Sequence, residues 1–353
     1  MIKTAQANPD PVAKRRLGDT GIELSELGLG TAALGNLYHA FSDVQAQQVL
    51  SAALGAGISY VDTAPLYGYG LSERRVGDAV RGVSEVVVST KVGRMLVPVP
   101  EIRDDAERRG FFSALPFEPK FDFSYDAVMR SYEDSLQRLG VARVGILYVH
   151  DIGPFTHGER HEVFYRQLLK QGGLRALEEL RAARQIAAIG IGVNEIPICL
   201  QLMGEVKLDV ILLAGRYTLL EQEPLDALFP ACRRQGVRIV AGGPYNSGIL
   251  ATGTRTGATL HHDYLAAPAA VIDRVRSIEA ICDRHRVELP AAALQFILAN
   301  PEVVSVIPGL DTPERVAETL RYYRASIPAA FWADLRSGGH IRADAPIPGA
   351  AVT

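Results

Sequence analysis

The sequence predicts an α/β chain folded as a (β/α)8 TIM barrel, with an N-terminal hairpin and long βα loops. Three observations carry that expectation. Short β-branched apolar runs recur eight times, longer amphipathic runs separate them, and polar residues gather where the apolar runs end. Strands alternating with helices imply a parallel sheet, and eight strands are the number that closes this barrel.

The elements are read in order. "KRRLGDTGIELSEL" carries Asp19-Thr20-Gly21 between two short apolar runs, a hairpin signal. The expected strands are 26–32 (ELGLGTA), 59–64 (SYVDTA), 85–92 (EVVVSTKV), 144–151 (VGILYVHD), 187–193 (AAIGIGV), 209–215 (DVILLAG), 238–244 (RIVAGGP) and 304–309 (VSVIPG). Helical periodicity falls near 43–56, 72–81, 124–139, 173–184, 195–205, 224–235, 270–285 and 312–325, with 290–299 as an additional helix or turn. The competing architecture is an open doubly wound sheet, which calls for GxGxxG after the first strand. "GLGTAALG" supplies only the first two glycines at that spacing, so the barrel is preferred.

Residues 1–13 read as a flexible leader, 14–326 as the barrel, and the Pro- and Gly-rich 327–353 as a tail closing over it. Two long connections, 93–123 after the third strand and 245–268 after the seventh, fall on the C-terminal face of such a barrel. With 353 residues, 48% hydrophobic, the chain can bury a large core, and a net charge of −3 gives no pull toward nucleic acid or an anionic membrane. No apolar run reaches membrane-spanning length. Three scattered cysteines (Cys199, Cys232, Cys282), no CxxC pair and a start lacking a signal-peptide core suggest a cytoplasmic protein.

The strand ends hold the chemistry. Asp62 ends the second strand and Tyr67 follows it. Lys91 lies near the end of the third, His150 and Asp151 end the fourth, and Asn194 follows the fifth. A barrel brings these onto one rim although no local motif joins them. A tyrosine, with a reference pKa of about 10, needs help to exchange protons near neutrality. A lysine ammonium beside it favours the phenolate, and Asp62 can partner that lysine. His150 can orient a carbonyl or hydroxyl oxygen. The set suits interconversion of C=O and CH–OH, with the hydride coming from a redox cofactor. Taken singly the residues have plainer readings: a helix-capping aspartate, a packing tyrosine, a core histidine. Lys91 is the odd one, since a lysine in an apolar strand needs a partner. His261-His262-Asp263 lacks further ligands at metal-site spacing, and no metal is expected.

"LGLGTAALG", "VDTAPLYGYGLSERRVG", "VVVSTKVG", "SLQRLGVARVGILYVHD", "AIGIGVNE" and "VIPGLDTPERVAETL" together resemble the aldo-keto reductase superfamily, over about Lys14 to Arg324. The resemblance implies a barrel that binds NAD(P) extended, without a Rossmann fold. It implies Tyr67 as general acid/base, Lys91 and Asp62 as its tuning pair, and His150 as substrate-orienting. Gly30, Thr31, Asp62, Asn194, Pro244, Ser247, Gly309, Arg315 and Glu318 would then meet the cofactor. Tyr67, His150, Tyr69, Arg94 and Tyr245 would meet the substrate. "GGPYNSGIL", "LYVHDIG" and "FWADLRSGGHIRADAPIP" look most like the bacterial aldose 1-dehydrogenase branch, which oxidises a hemiacetal carbon to a lactone.

Three departures from the family pattern matter. Val193-Asn194 stands where many members have Ser-Asn, Ala214 where a glutamine is frequent, and Gly309 where NADP-specific members carry a lysine. Losing that cation weakens the case for a 2′-phosphate, so NAD is expected, with NADP tolerated. The expected substrate is a small sugar of the L-fucose, L-galactose or D-arabinose type. Pyridoxal oxidation and general aldehyde or ketone reduction are the nearest alternatives. A Schiff-base aldolase using Lys91 and a non-catalytic cofactor sensor are the more distant ones. Oligomeric state is not readable from the sequence.

Overall fold

The structure is a computed structural model that describes residues 12–257 and 259–349. Eight parallel strands form one sheet: β1 (Leu29–Gly30), β2 (Tyr60–Asp62), β3 (Val87–Val92), β4 (Ile146–His150), β5 (Ala188–Val193), β6 (Val210–Ala214), β7 (Arg238–Gly242) and β8 (Val303–Ile307). They are ordered sequentially, and single parallel bridges Leu27–Val306 and Gly30–Gly309 join the two edges into a barrel. All eight expected strands are present, with boundaries shifted by a few residues.

Outside the sheet run α1 (Asp43–Gly55), α2 (Leu71–Val80), α3 (Tyr125–Leu139), α4 (Gly173–Ala182), α5 (Pro197–Met203), α6 (Leu228–Gln235), α7 (Leu289–Leu298) and α8 (Pro313–Arg324). Local chemistry sets their ends. Ser42 and Gln45 form a reciprocal capping box at α1. Thr312 caps α8 ahead of Pro313, and Gly140 closes α3 in the left-handed conformation.

The helix between β7 and β8 corrects the sequence reading. The 270–285 periodicity is real, as helix Ala269–His285, but the stretch thought additional is α7, the one that packs on β8. Nine of its ten residues are buried, so it carries no polar face for periodicity to detect. Helices Pro154–His157 and His161–Lys170 after β4, and Ala329–Ser337 in the tail, were not anticipated.

Two apolar layers result. Inside the barrel, Tyr60, Ile146, Tyr148, Val210, Leu212 and Val240 pack with Leu17 and Leu24 of the N-terminal hairpin (Lys14–Arg16 with Glu23–Ser25), which plugs one end. Arg15 fastens that plug through the carbonyls of Leu298 and Val303 at 2.9 and 2.6 Å. The Tyr148 ring fits inside because Gly190 has no side chain; a Cβ there would sit 2.6 Å from the ring and 2.5 Å from the Val210 carbonyl. Between sheet and helices lies the larger core, which includes Val12 and the tail residues Phe331, Trp332 and Leu335. Residues 1–11 of the leader lie outside the described residues.

The helix layer is close-packed enough to give a test. At the crossing of α2 and α3, a Cβ on Gly77 would fall 2.0 Å from the carbonyl oxygen of Leu139. Gly77→Ala should therefore destabilise the protein by about 1–3 kcal/mol, although helix propensity alone favours alanine by about 1 kcal/mol. The shift in the urea midpoint measures the sign, and stabilisation would show that this crossing yields.

Candidate active site

The long connection after β3 is an antiparallel hairpin, Arg94–Pro98 with Phe117–Phe121, and it stands beside the ends of β3 and β4. Parallel registers set Asp62 opposite Ser89, Lys91 opposite Tyr148, and His150 opposite Gly192. The four residues expected at the chemistry, Tyr67, Lys91, Asp62 and His150, come together at this rim.

Lys91 is 1% exposed, and its ammonium is held on three sides. It donates to Asp62 Oδ2 at 2.7 Å, to the Thr63 carbonyl at 2.9 Å and to Tyr67 Oη at 3.1 Å. Ser89 Oγ donates to the other Asp62 oxygen at 2.7 Å. The Tyr60 hydroxyl lies 3.0 Å from Ser89 Oγ and 3.0 Å from the Tyr148 hydroxyl. The chain Tyr148–Tyr60–Ser89–Asp62–Lys91–Tyr67 thus runs from the barrel interior to its mouth.

Burial pushes the Asp62 carboxyl up, and Lys91 pulls it back. Burial alone would lower the Lys91 ammonium, but Asp62 and Tyr67 outweigh it and the net shift is upward. Tyr67 departs from expectation. Lys91 does pull its phenol down, yet desolvation is larger and the pKa is pushed up to about 12, with Asp62 and Asp151 adding to the rise.

The His150 ring stands edge-on to Tyr67, with centroids 6.1 Å apart. Burial first, then the Arg94 and Lys91 charges, hold its pKa well below the usual imidazole range. It is therefore neutral, with one ring proton to donate. Its Nε2 lies 3.4 Å from Asp151 Oδ2, and its buried Nδ1 has no partner.

The remaining expected residues separate into groups. Arg94 reaches the site and pairs with Asp151. Tyr69 does not reach it: it is fully buried with Phe111 and Leu96, and its hydroxyl donates to the Arg108 carbonyl at 3.1 Å, bracing the loop beneath Tyr67. Tyr245 packs against the main core, and the nearby charges that act on it come from Tyr322 and Arg315 of α8. The Thr31 hydroxyl is committed to the Asp62 carbonyl at 2.8 Å and to Ser72 at 2.7 Å. Gly30 and Gly309 form a strand bridge, and Gly309 faces open space. Pro244 is buried, Ser247 is exposed, and Arg315 pairs with Glu318 on the first turn of α8.

A second hairpin (His261–His262 with Leu265–Ala266) lies across the mouth. Arg216 grips Asp263 with two bonds at 2.9 and 3.1 Å and also donates to the Asn194 carbonyl at 2.6 Å. Tyr264 meets the Asn194 amide at 3.3 Å and Ser247 Oγ at 2.9 Å. The cleft beneath holds about 500 Å³ and is lined by Tyr38, Asn194, Gly215, Gly243, Asn246 and Ser247, among others. The buried, unpartnered Asn246 Oδ1 suits a ligand that donates hydrogen bonds, as the amide of a nicotinamide dinucleotide does, and Gly215 and Gly243 leave room beside it. His262 Nε2 lies 3.1 Å from Glu221 Oε1, and no group of three metal-ligating side chains occurs among the described residues. Arg216, Asp263 and Tyr264 carried no sequence signal, because their partners lie on different loops. Asp151 and Ser89 were visible only as neighbours of His150 and Lys91.

The buried Tyr, Lys, Asp and His side chains thus gather at the C-terminal mouth of a parallel barrel. The chain belongs to the aldo/keto reductase family, whose model matches residues 26–338. Members of that family use nicotinamide dinucleotides. The chain is 44% identical over 338 residues to pyridoxal 4-dehydrogenase of Microbacterium luteolum, covering 93% of this chain and 98% of that one. It is 40% identical over 321 residues to D-threo-aldose 1-dehydrogenase of a Pseudomonas species, covering 89% and 94%. These relatives set it in the aldose dehydrogenase branch. The fold also matches the holo form of an aldo-keto reductase from Bacillus halodurans, at TM-score 0.70 and 23% identity over 90% of this chain and 93% of that one.

The buried pair can be tested on its own. Lys91→Met strands the Asp62 charge and should cost about 3–5 kcal/mol, whereas Lys91→Met with Asp62→Leu removes both charges and should recover much of that. Denaturant midpoints of the two variants report the difference, and equal losses would mean that Asp62 carries no charge in the fold.

Proposed function

We propose that this chain is an NAD(P)-dependent dehydrogenase that oxidises the hemiacetal carbon of an aldose, C1, to a lactone. The observation that carries the reading is Lys91 bonded at once to Tyr67 Oη and Asp62, with a neutral His150 across from the tyrosine. Tyr67 takes the proton of the C1 hydroxyl as general base. The base is the Tyr67 phenolate, which the Lys91 ammonium stabilises and which becomes a phenol as it takes the proton, while Asp62 keeps Lys91 charged and in place. His150 donates to the same substrate oxygen. A bound nicotinamide dinucleotide would supply the hydride acceptor. The C1–H pair leaves as hydride, the C1–O bond gains double-bond character, and the proton goes to Tyr67.

An ammonium engaged on three sides and held protonated is a poor amine nucleophile, which argues against a Schiff-base aldolase. The likeness to D-threo-aldose 1-dehydrogenase supports a sugar of the L-fucose, L-galactose or D-arabinose type. Pyridoxal is the second reading, favoured by the 44% identity to pyridoxal 4-dehydrogenase. It calls on the same chemistry, since pyridoxal closes to a hemiacetal on its own hydroxymethyl group. We place the reaction in a reducing compartment such as the cytoplasm, in keeping with three buried, free cysteines.

The test follows NADH appearance with the three sugars and pyridoxal, against NADPH consumption with simple aldehydes. Turnover of the aldehydes alone would make the enzyme a reductase. Tyr67→Phe should lower kcat by about 10²–10⁴-fold while cofactor still binds. The wild-type oxidation rate should climb with pH through the neutral and alkaline range. The sign follows because Tyr67, with a pKa of about 12, is mostly protonated in this range and its reactive phenolate fraction grows as pH rises. Near-normal turnover by the phenylalanine variant, or a flat profile limited by chemistry, would remove Tyr67 from the role.

For the cofactor we propose NAD, with NADP tolerated. Gly309 offers no cation, and Arg315 is already paired with Glu318. The ratio of kcat/KM for the two cofactors checks this, and more than a tenfold preference for NADP, about 1.4 kcal/mol, would overturn it.

A further inference from the structure

We propose that the Arg94–Asp151 pair reads the ring hydroxyls of the substrate and selects polyhydroxylated cyclic substrates over apolar aldehydes. The inference rests on the catalytic reading above and assigns it a specificity device.

The pair is expensive to keep. Arg94 and Asp151 side chains are only 10% and 16% exposed, so both ions are largely stripped of water. Asp151 also adopts φ +48°, in the left-handed region that side-chain-bearing residues other than Asn and Asp rarely occupy. Two apolar residues here would stabilise the barrel as well or better. Stability therefore does not explain the pair, and its position does: Asp151 is one residue past His150, and Arg94 opens the hairpin two residues past the end of β3.

The bonding capacity left over suits a polyol. Arg94 bonds Asp151 through Oδ2, which leaves Oδ1 to accept from another donor. Arg94 Nε is buried without a partner, and its guanidinium is held flat over the Phe121 ring at 5.1 Å. A sugar ring held with C1 at Tyr67 and His150 carries further hydroxyls on adjacent carbons, each both donor and acceptor. Asp151 takes the hydrogen of one, and Arg94 donates to the oxygen of the next. An apolar aldehyde makes neither bond, and sites built to bond a hydroxyl reject analogues that lack it. The Tyr264 hydroxyl lies close enough to feel the Asp151 charge, so the hairpin across the mouth borders the same space.

The test compares kcat/KM for L-fucose oxidation with NAD+ and for benzaldehyde reduction with NADH. The variants are Asp151→Asn, which keeps a residue tolerant of the left-handed backbone, and Arg94→Met with Asp151→Asn, which strands neither charge. NADH titration by fluorescence confirms an intact cofactor site in each. The fucose-to-benzaldehyde ratio should fall at least tenfold in both, mostly through KM for the sugar. A ratio within twofold of wild type, or a loss confined to pyridoxal, would overturn the proposal. If the wild-type enzyme does not oxidise L-fucose, the aldose reading fails separately. Inhibition of benzaldehyde reduction by the sugar then decides: inhibition of the wild type that is lost in both variants upholds hydroxyl reading, and equal or absent inhibition rejects it.

Discussion

The salt bridge between Lys91 and Asp62 is the constraint on which the rest of this site depends. Removing an ammonium and a carboxylate from water costs several kcal/mol for each ion, and their attraction repays it only if their remaining bonds are filled. They are filled here. Ser89 takes the second carboxylate oxygen, while the Thr63 carbonyl and Tyr67 hydroxyl take the other two ammonium protons. Each donor needs support in turn, which is why Tyr60 and Tyr148 bring hydroxyls into an interior otherwise made of Val, Ile and Leu. A barrel core ordinarily needs only shape. This one also carries a polar column that ends at the tyrosine.

That column fixes the electrostatics of the mouth. Burial first, then the positive charges of Arg94 and Lys91, keep His150 neutral. The negative charges of Asp62 and Asp151 both oppose ionisation of Tyr67. Tyr67 is therefore a protonated phenol at neutral pH, with Lys91 against its oxygen. Such a group gives its proton to a developing substrate alkoxide, leaving a phenolate against the ammonium, and takes one only from that phenolate form. The same preorganised charge serves either direction of the reaction, so the static site is compatible with both and the substrate sets which is observed.

Much of this was legible in the sequence because the barrel turns order along the chain into position on a rim. Eight β-branched runs gave the strand count, and the strand count placed Asp62, Tyr67, Lys91 and His150 together without any shared motif. Legibility failed where a residue's role depends on its partner. Tyr69 shares the glycine-rich loop of Tyr67, yet a positive φ turns it away into a cluster with Phe111. Arg216 and Asp263 are separated by 47 residues, and nothing in either segment announces the pair. α7 was misjudged for the opposite reason: buried on every side, it lost the amphipathic stripe that reveals a helix. The direction of the Tyr67 shift needed the structure too, because composition shows the neighbouring lysine but not the loss of water that outweighs it.

The absence of a complete GxGxxG after β1 also has a structural counterpart. In that fingerprint a helix N-terminus follows the turn directly and receives the pyrophosphate. Here the segment after β1 makes a short 3-10 turn at Ala33–Gly35, and α1 begins only at Asp43, with an acidic residue in its first turn. Thr31, the residue nearest that position, is bonded inward to the Asp62 carbonyl and Ser72. An anion gains little there. The buried, unpartnered Asn246 Oδ1 lies instead across the barrel, where the loops after β5, β6 and β7 line one cleft with Asn194, Gly215, Gly243 and Ser247. Arg216 and Tyr264 tie those three loops to one another through Asn194, Asp263 and Ser247. The hairpin at His261–Ala266 is thereby fastened over that cleft by Arg216, a residue far from any phosphate-binding motif.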